Sequence, residues 1–502
     1  MRTKTSPSTH IAFDNSYAKL PSQFYARLDP TKVAKPALIK VNERLALDLN
    51  LDVRFLTSTK GVQMFAGNHV PRGSAPISMA YGGHQFGNWV PQLGDGRAVL
   101  LGEVLDGNGT RFDLQLKGSG RTPYSRNGDG RAWIGPVLRE YVVSEAMAAL
   151  NIPTTRALAA VTTGEPVLRQ NLFPGAILTR VSQGHIRVGT FEYFAARKDT
   201  PSLRILADYA IDRFYPEARD TSTPSLSLFA KVLARQADLI AKWMGVGFIH
   251  GVMNTDNMSI VGETIDYGPC AFMDTYHPQT VFSYIDQMGR YAYANQPNIA
   301  KWNLTSFAST LLPLLHPDRD KAEGMVQDAL ETFNDVFAAA WNATFRAKLG
   351  LSGQEDQEDN DPALIQALLD LMAENQADFT QTFRGLCDFV EPETAPKNGS
   401  VRDLFKDPSA FEAWVKIWRV RLGRESRSDL DIQSEMRAVN PAYIPRNHRV
   451  EQMISAAVEG DFAPFERLLD VLSRPFDDQP QLSSYQAPPK PNEIVRQTFC
   501  GT

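Results

Sequence analysis

Two carboxylates and an amide stand close together in the middle of the chain. "HGVMNTDNM" runs from His250 to Met258 and contains Asp256 and Asn257, and "IDYGP" brings Asp266 nine residues after Asn257. Carboxylate and side-chain carbonyl oxygens are the hard donors that hold Mg²⁺ or Mn²⁺ against phosphate oxygens, so this trio suits phosphoryl or nucleotidyl transfer. Taken singly, "TDN" and "DYG" read as turns, because Asp, Asn and Gly favour turns. Together, and in order after a long helical pattern, they point to a metal–nucleotide site.

The spacing also departs from a known one. Small-molecule kinases of the protein-kinase fold carry His-Gly-Asp, four residues, then Asn, with the Asp as base and the Asn as metal ligand. His250, Gly251 and Asn257 keep that register, but the base position holds Val252, and a different acid, Asp256, directly precedes the amide. Asp-Tyr-Gly at 266–268 is a near copy of the kinase Asp-Phe-Gly. A transfer reaction with altered geometry is one reading, and a nucleotide-binding scaffold that lost its chemistry is another.

Cations and glycines complete the candidate site. Lys117 ends a strand pattern on its polar face, where a kinase places its phosphate-binding lysine. The following helix offers two glutamates as its partner, Glu140 and Glu145. Helical geometry puts Glu145 on the stripe of Ile134, Leu138 and Tyr141 and puts Glu140 away from it, which leaves the choice open. "GDGR" at Gly94–Arg97 precedes the first hairpin strand. "KGSGRTPYSRNGDGRA" (Lys117–Ala132) packs four glycines and three arginines before the helix. Such glycines let backbone amides approach an anion, and guanidinium groups hold phosphate oxygens. Arg180 and Arg187, as isolated arginines, read as surface.

The elements needed to position these groups are legible. "AVLLGEVL" (Ala98–Leu105) and "RFDLQLK" (Arg111–Lys117) flank "DGNG" as a hairpin. In the second strand Phe112, Leu114 and Leu116 face one way, and Arg111, Asp113, Gln115 and Lys117 the other. A helix is predicted over Gly135–Asn151, a second hairpin in Arg156–Gln170 about "TTGE", and a strand over Ala176–Val181. Apolar spacing after Ser225 predicts a long helix feeding into His250. From about Pro297 to Leu472 the pattern is mainly helical, interrupted at Ser352–Pro362 and Glu391–Ser400. The expected fold is α+β, a two-lobed protein-kinase-like arrangement with a strand-rich N-lobe, a helical C-lobe and an additional C-terminal helical region. The corresponding segments are an N-terminal extension (1–80), an N-lobe with nucleotide-binding loops (81–190), a C-lobe with catalytic and metal loops (191–350), a helical region (351–473) and a Pro-rich tail (474–502).

Composition narrows the class. A chain of 502 residues, 43% hydrophobic and 10% aromatic, exceeds what a single core usually holds and supports a large buried interior. A net charge of -5 argues against nucleic acid as a partner. No apolar run approaches the roughly 18 residues of a membrane span, and the N-terminus lacks a signal-peptide core, so a cytoplasmic monomer without membrane contact is expected. The eight histidines show no metal-ligand spacing, which leaves zinc unsupported.

The chain resembles the selenoprotein O family, a group of protein-kinase-fold pseudokinases. "YGGHQFGNWVPQLGDGRAVLLGE" (Tyr81–Glu103), "LKGSGRTPYSRNGDGRA", "NIPTTRAL" (Asn151–Leu158), "GVMNTDNMS", "DYGPCAFMD" and "NPAYIPRNH" (Asn440–His448) carry the resemblance over nearly the whole chain. The resemblance implies that ATP binds inverted, with its α-phosphate facing the acceptor, so that AMP passes to Ser, Thr or Tyr hydroxyls of proteins and pyrophosphate leaves. Self-modification and uridylyl transfer remain open. It further implies that Lys117 and Arg97 hold the buried phosphates, with Gly94 and Gly96 supplying close backbone. Asp129 and Gly130 would meet the nucleotide, and Arg180 and Arg187 would complete a cationic cage. Glu140 would pair with Lys117, Asn257 and Asp266 would bind the metal, and Asp256 would be the base. An ordinary kinase and a non-catalytic scaffold remain the alternatives.

Cys500, third from the end in "TFCGT", lies on a tail where exposure and reactivity are expected. The family places selenocysteine or cysteine at this position, which implies redox use and a disulfide partner near the metal loop, here Cys270. Some relatives place that partner further along, near the position of Phe282.

Overall fold

Alternating apolar and polar runs build the N-terminal half around one antiparallel sheet. The computed structural model describes residues 11–351, 360–391 and 401–499. Its strands are β1 (Tyr25–Arg27), β2 (Ala37–Val41), β3 (Ile77–Met79), β4 (Gly83–Gln85), β5 (Asn88–Val90), β6 (Ala98–Leu105), β7 (Arg111–Lys117), β8 (Ala132–Trp133), β9 (Arg156–Leu168), β10 (Leu172–Ser182), β11 (Phe248–Ile249) and β12 (Ala271–Phe272). The main sheet runs β1-β3-β6-β7-β10-β9-β2, with β8 pairing β10. Residues before position 81 thus supply three of its strands. The β6–β7 hairpin closes with Leu105 opposite Arg111, and Asp106 Oδ1 accepts from the Asn108 and Thr110 amides in the turn.

Two details of the sheet differ from the sequence reading. The second hairpin does not turn at "TTGE": β9 runs through it, and the turn lies at Arg169–Asn171, where the Arg169 amide donates to the Asn171 carbonyl. Gly164, at φ +71 beside Lys35, accommodates an irregularity inside the strand instead. The polar face of β7 is also buried from Asp113 to Lys117. It faces other charged groups rather than water. Asp113, for example, accepts from His185 Nδ1 at 2.8 Å and from Arg213 Nη2 at 2.6 Å.

The helices are α1 (Glu43–Asp48), α2 (Val53–Leu56), α3 (Thr59–Phe65), α4 (Ile134–Ala149), α5 (Val188–Ala196), α6 (Thr200–Phe214), α7 (Pro224–Gly245) and α8 (Gln296–Leu315). They continue as α9 (Arg319–Glu331), α10 (Phe333–Lys348), α11 (Asp361–Asn375), α12 (Phe379–Leu386), α13 (Pro408–Leu422), α14 (Asp429–Val439), α15 (Asn447–Val458) and α16 (Ala463–Leu472). One face of the sheet packs on α1–α3 through Leu101, Leu114, Leu116 and Ile177. The other packs on α4, which the small residues Ala157, Ala160 and Ala176 allow to approach closely. α15 and α16 return from the C-terminal half to cover the far side of α4, with Tyr141 and Phe465 edge to face at 5.4 Å. The largest apolar cluster centres on α7 and holds the remaining helices together. The fold is a mixed α/β one with an antiparallel sheet and many helices.

The tail is not uniformly extended. A short turn spans Pro480–Tyr485, and Thr498 then pairs in parallel with Ser283, its amide donating to the Phe282 carbonyl at 2.7 Å. Most of the two predicted helix breaks (352–359 and 392–400), the first ten residues and Cys500 lie outside the described residues. Among the described residues no helix is long and apolar enough to cross a membrane.

Candidate active site

β7, α4 and β10 converge on one carboxylate. Lys117, the last residue of β7, donates from Nζ to Glu140 Oε2 at 2.6 Å and to Asp266 Oδ1 at 2.7 Å. This resolves the two candidate glutamates in favour of Glu140. Glu145 instead binds Arg156 at 2.7 Å and the Ala157 amide at 2.9 Å. The stripe argument could not discriminate them, because α4 is buried on nearly every side.

Strand pairing brings in the second cation. Arg180 stands opposite Gln115 on β10, and its Nη1 reaches Asp266 Oδ1 at 2.7 Å and Glu140 Oε1 at 3.4 Å. Arg187, at the entrance to α5, donates from Nη1 to Asp266 Oδ2 at 2.5 Å and to the Asp256 carbonyl, and its guanidinium lies 4.8 Å from the Tyr81 ring centroid. Arg180 and Arg187 are 1% and 2% exposed, so their reading as surface arginines is corrected. Nothing in the local sequence marks this burial, which depends on register and on the chain crossing back after β10. Three cations face two carboxylates, leaving one formal positive charge in excess. Burial by itself would raise the Asp266 carboxyl, but Lys117, Arg187 and Arg180 outweigh it and hold the group well below the ordinary carboxylate range. Asp266 also sits at φ 63, a left-handed conformation uncommon outside glycine and often found at functional sites.

The loop after β11 is fixed around a neutral histidine. His250 Nε2 donates to the Ile265 carbonyl at 2.9 Å, so its Nδ1 accepts from the Val252 amide at 3.3 Å. The ring stacks on Trp243 of α7, and burial lowers its pKa. His250 therefore ties the Asp256 loop to the Asp266 loop. Val252 is buried at the position a kinase gives to its base. Asn257 Nδ2 donates to the Val252 carbonyl at 2.9 Å, which orients the amide so that its side-chain oxygen is the atom that could ligate a metal.

Asp256 lies under a small hairpin. β4 and β5 turn through Phe86 (φ 51) and Gly87 (φ 81), a two-residue turn with both angles positive. The hairpin is latched to the loop at three points. The His84 amide donates to Thr255 Oγ1 at 2.7 Å, the Phe86 amide donates to Asn254 Oδ1 at 3.0 Å, and Gln85 Nε2 donates to Asp256 Oδ2 at 3.2 Å. Glu192 of α5 backs the latch, taking His84 Nδ1 at 2.7 Å and Thr255 Oγ1 at 2.5 Å. Asp256 Oδ1 is buried without a hydrogen-bond partner among the described residues, which is costly for a carboxylate oxygen. Burial pushes the Asp256 carboxyl up to about 6, against the opposing pull of Gln85 and Arg187.

The site residues read from the sequence, Glu145 and the cysteines excepted, line one cleft of about 770 Å³. Gly94 adopts φ +73 with Tyr124 packed on it, where a Cβ would come within 2.3 Å of the ring. Gly130 adopts φ +66 against the Gly120 carbonyl. Gly96 and Arg97 follow on the same wall. Asp129 lies at the rim, where Arg169 at 2.8 Å lowers its pKa. Cys270 is buried and is not among the lining residues, while Cys500 lies outside the described residues. Sequence reasoning missed Gln85, Asp95 and Gln115. Two of them had a signal: Asp95 sits between Gly94 and Gly96, and Gln115 shares a face of β7 with Lys117.

A family model described as protein adenylyltransferase SelO matches residues 7–473. Relatives named protein nucleotidyltransferase YdiU include that of Rhodopseudomonas palustris (strain BisB18), 58% identical over 497 residues, covering 99% of this chain and 100% of the relative. That of Bradyrhizobium diazoefficiens is 58% identical over 496 residues, covering 99% and 100%. That of Rhizobium meliloti (strain 1021) is 58% identical over 495 residues, covering 98% and 100%. The chain belongs to the SelO family and is an enzyme of nucleotidyl transfer.

Proposed function

We propose that the protein transfers AMP from ATP to Ser, Thr or Tyr hydroxyls of proteins, with release of pyrophosphate, on a two-lobed kinase-like scaffold that binds the nucleotide inverted. The observation that carries this reading is the buried cluster of Lys117, Arg180 and Arg187 about Asp266, beside an Asp256 whose Oδ1 has no hydrogen-bond partner among the described residues. Buried cations suit the most highly charged end of a triphosphate. The β- and γ-phosphates would lie there, with Arg97 and the Gly94–Gly96 backbone closing over them and Asp129 and Gly130 meeting the rest of the nucleotide. Glu140 keeps the Lys117 amine in place.

Asn257 and Asp266 would hold Mg²⁺ or Mn²⁺, and their donor types suit a hard cation, with Lys117, Arg180 and Arg187 already on the two Asp266 oxygens. Both offer oxygen donors, the Asn257 nitrogen is already committed to Val252, and Asp266 stays ionised. The ion, when bound, neutralises phosphate charge as the transition state forms. Asp256 accepts the hydroxyl proton at Oδ1, held in orientation by Gln85 on Oδ2. Its carboxyl value of about 6 is close to neutral pH, where a general base works best. Val252 offers no base for a γ-phosphate-directed acceptor.

The test uses ATP labelled at either end, with Mg²⁺ or Mn²⁺ supplied. Label from the α-position should appear on the protein itself or on added protein, and label from the γ-position should not. Transfer from the γ-position alone would make the protein a kinase. Tight ATP binding without transfer from either would make it a scaffold.

A further inference from the structure

Gln115 sits two residues before Lys117 on the same face of β7 and is fully buried. Its Oε1 accepts from both Nε and Nη2 of Arg180, at 3.1 Å and 2.5 Å. Its Nε2 donates to Asp95 Oδ2 at 3.1 Å, and the same oxygen accepts the Met79 amide at 3.1 Å. Asp95 is buried between Gly94 and Gly96, and its carbonyl accepts from Thr122 Oγ1 at 2.7 Å. These partners define the amide's orientation, nitrogen toward the carboxylate and oxygen toward the guanidinium. A carboxylate at 115 would repel Asp95, and an ammonium would repel Arg180. An amide suits both neighbours.

A guanidinium carries five N–H donors. In Arg180, Gln115 takes the Nε donor and one from Nη2, and Asp266 and Glu140 take Nη1. One Nη2 donor is left among the described residues, on a side chain that lines the cleft. Arginine rotamers are numerous, so a guanidinium held at three sides meets an anion with little further ordering.

We propose that Gln115 is a positioning residue. It locks the Arg180 guanidinium in place and, through Asp95, joins it to the Gly94–Gly96 loop, so that preference for a nucleoside triphosphate over a monophosphate depends on it. This rests on the reading that Arg180 meets the buried phosphates. A residue that only supported the fold would change the affinity for all nucleotides alike. A clamp on Arg180 affects only those that reach it.

The experiment measures binding of ATP and of AMP at one fixed Mg²⁺ concentration by calorimetry. Gln115→Met keeps the length and removes all three side-chain hydrogen bonds, two from Arg180 and one to Asp95. ATP should bind at least about tenfold more weakly, since bonds to a charged group are lost, and AMP should stay within about twofold. Arg180→Ala should show the same split, and adding Gln115→Met to it should weaken ATP no further. Should Gln115→Met not fold, Gln115→Asn, too short to span Arg180 and Asp95, carries the same expectation. If Arg180→Ala separates ATP from AMP while the Gln115 variant lowers both equally or neither, Gln115 does not clamp Arg180. If Arg180→Ala itself fails to separate them, the assignment of Arg180 to the buried phosphates is wrong, and the inference falls with it.

Discussion

Asp256 and Asp266 line the same cleft, the first buried and the second partly buried with 21% of its side chain exposed, yet their surroundings are opposite. Asp266 receives Lys117, Arg180 and Arg187 within 2.7 Å, and its carboxyl is held far below the ordinary range. The Asp256 carboxylate receives one neutral amide, from Gln85, keeps one oxygen without a partner among the described residues, and is pushed up to about 6. Burial acts in the same direction on both, so the difference comes from the cations. A carboxylate that must stay charged is paired directly with cations, whereas for the one that must accept a proton the nearby Arg187 bonds its backbone carbonyl and not its carboxylate. Position relative to the guanidinium groups thus divides the two roles within a single cleft.

Removing Asp266 is the most damaging way to disturb this contrast. Asp266→Ala leaves three buried cations facing Glu140 alone and deletes an oxygen donor to the metal. Transfer from α-labelled ATP should fall by at least about 10³-fold, with weakened metal-dependent nucleotide binding. Retention of a tenth of the rate would show that the cations do not need this partner.

Removing Asp256 should damage the rate and spare binding. Asp256→Ala is expected to slow transfer by about 10²–10⁴-fold, the usual range for loss of a general base. ATP affinity, measured by calorimetry, should change by less than about threefold, because the three cations lie on the other carboxylate. A rate loss under about tenfold would remove Asp256 from the role of base.

The smallest effect on activity sharpens the comparison by isolating burial. Glu263 is buried three residues before Asp266 and receives Ser182 Oγ at 2.7 Å. It does not line the cleft, and burial pushes its carboxyl from 4.5 up to about 7. Between those values the native state holds a proton that the unfolded chain has released, so stability declines as pH rises from 4.5 to 7. Glu263→Gln should transfer AMP within about twofold of the parent rate. Its melts should match the parent below pH 4.5 and exceed it above pH 7, by an amount on the order of 1–3 kcal/mol. A gap that does not grow across that window would show that burial alone does not raise this carboxyl.

Local chemistry made much of the site legible. Gly109 in "DGNG" specifies the β6–β7 turn through its positive φ, and apolar spacing specifies α7 through one-sided burial. Asp256, Asn257 and Asp266 were found because oxygen donors at a short spacing are few in chemical meaning. The "TTGE" turn was misplaced for a related reason. Glycine permits both a turn and a strand irregularity, and pairing with β2 and β10 on either side selects the latter.

What the sequence determines by itself is therefore what lies within a few residues along the chain: strands and helices from side-chain period, turns from backbone freedom, and the run of donors from His250 to Asp266. The tertiary structure alone decided that Glu140 rather than Glu145 meets Lys117, that Arg180 and Arg187 are buried on Asp266, and that a hairpin from residues 83–90 covers Asp256. Each of these joins groups far apart on the chain. Their energies arise from mutual burial and Coulomb contact, which depend on distance in space, and no local pattern encodes that distance.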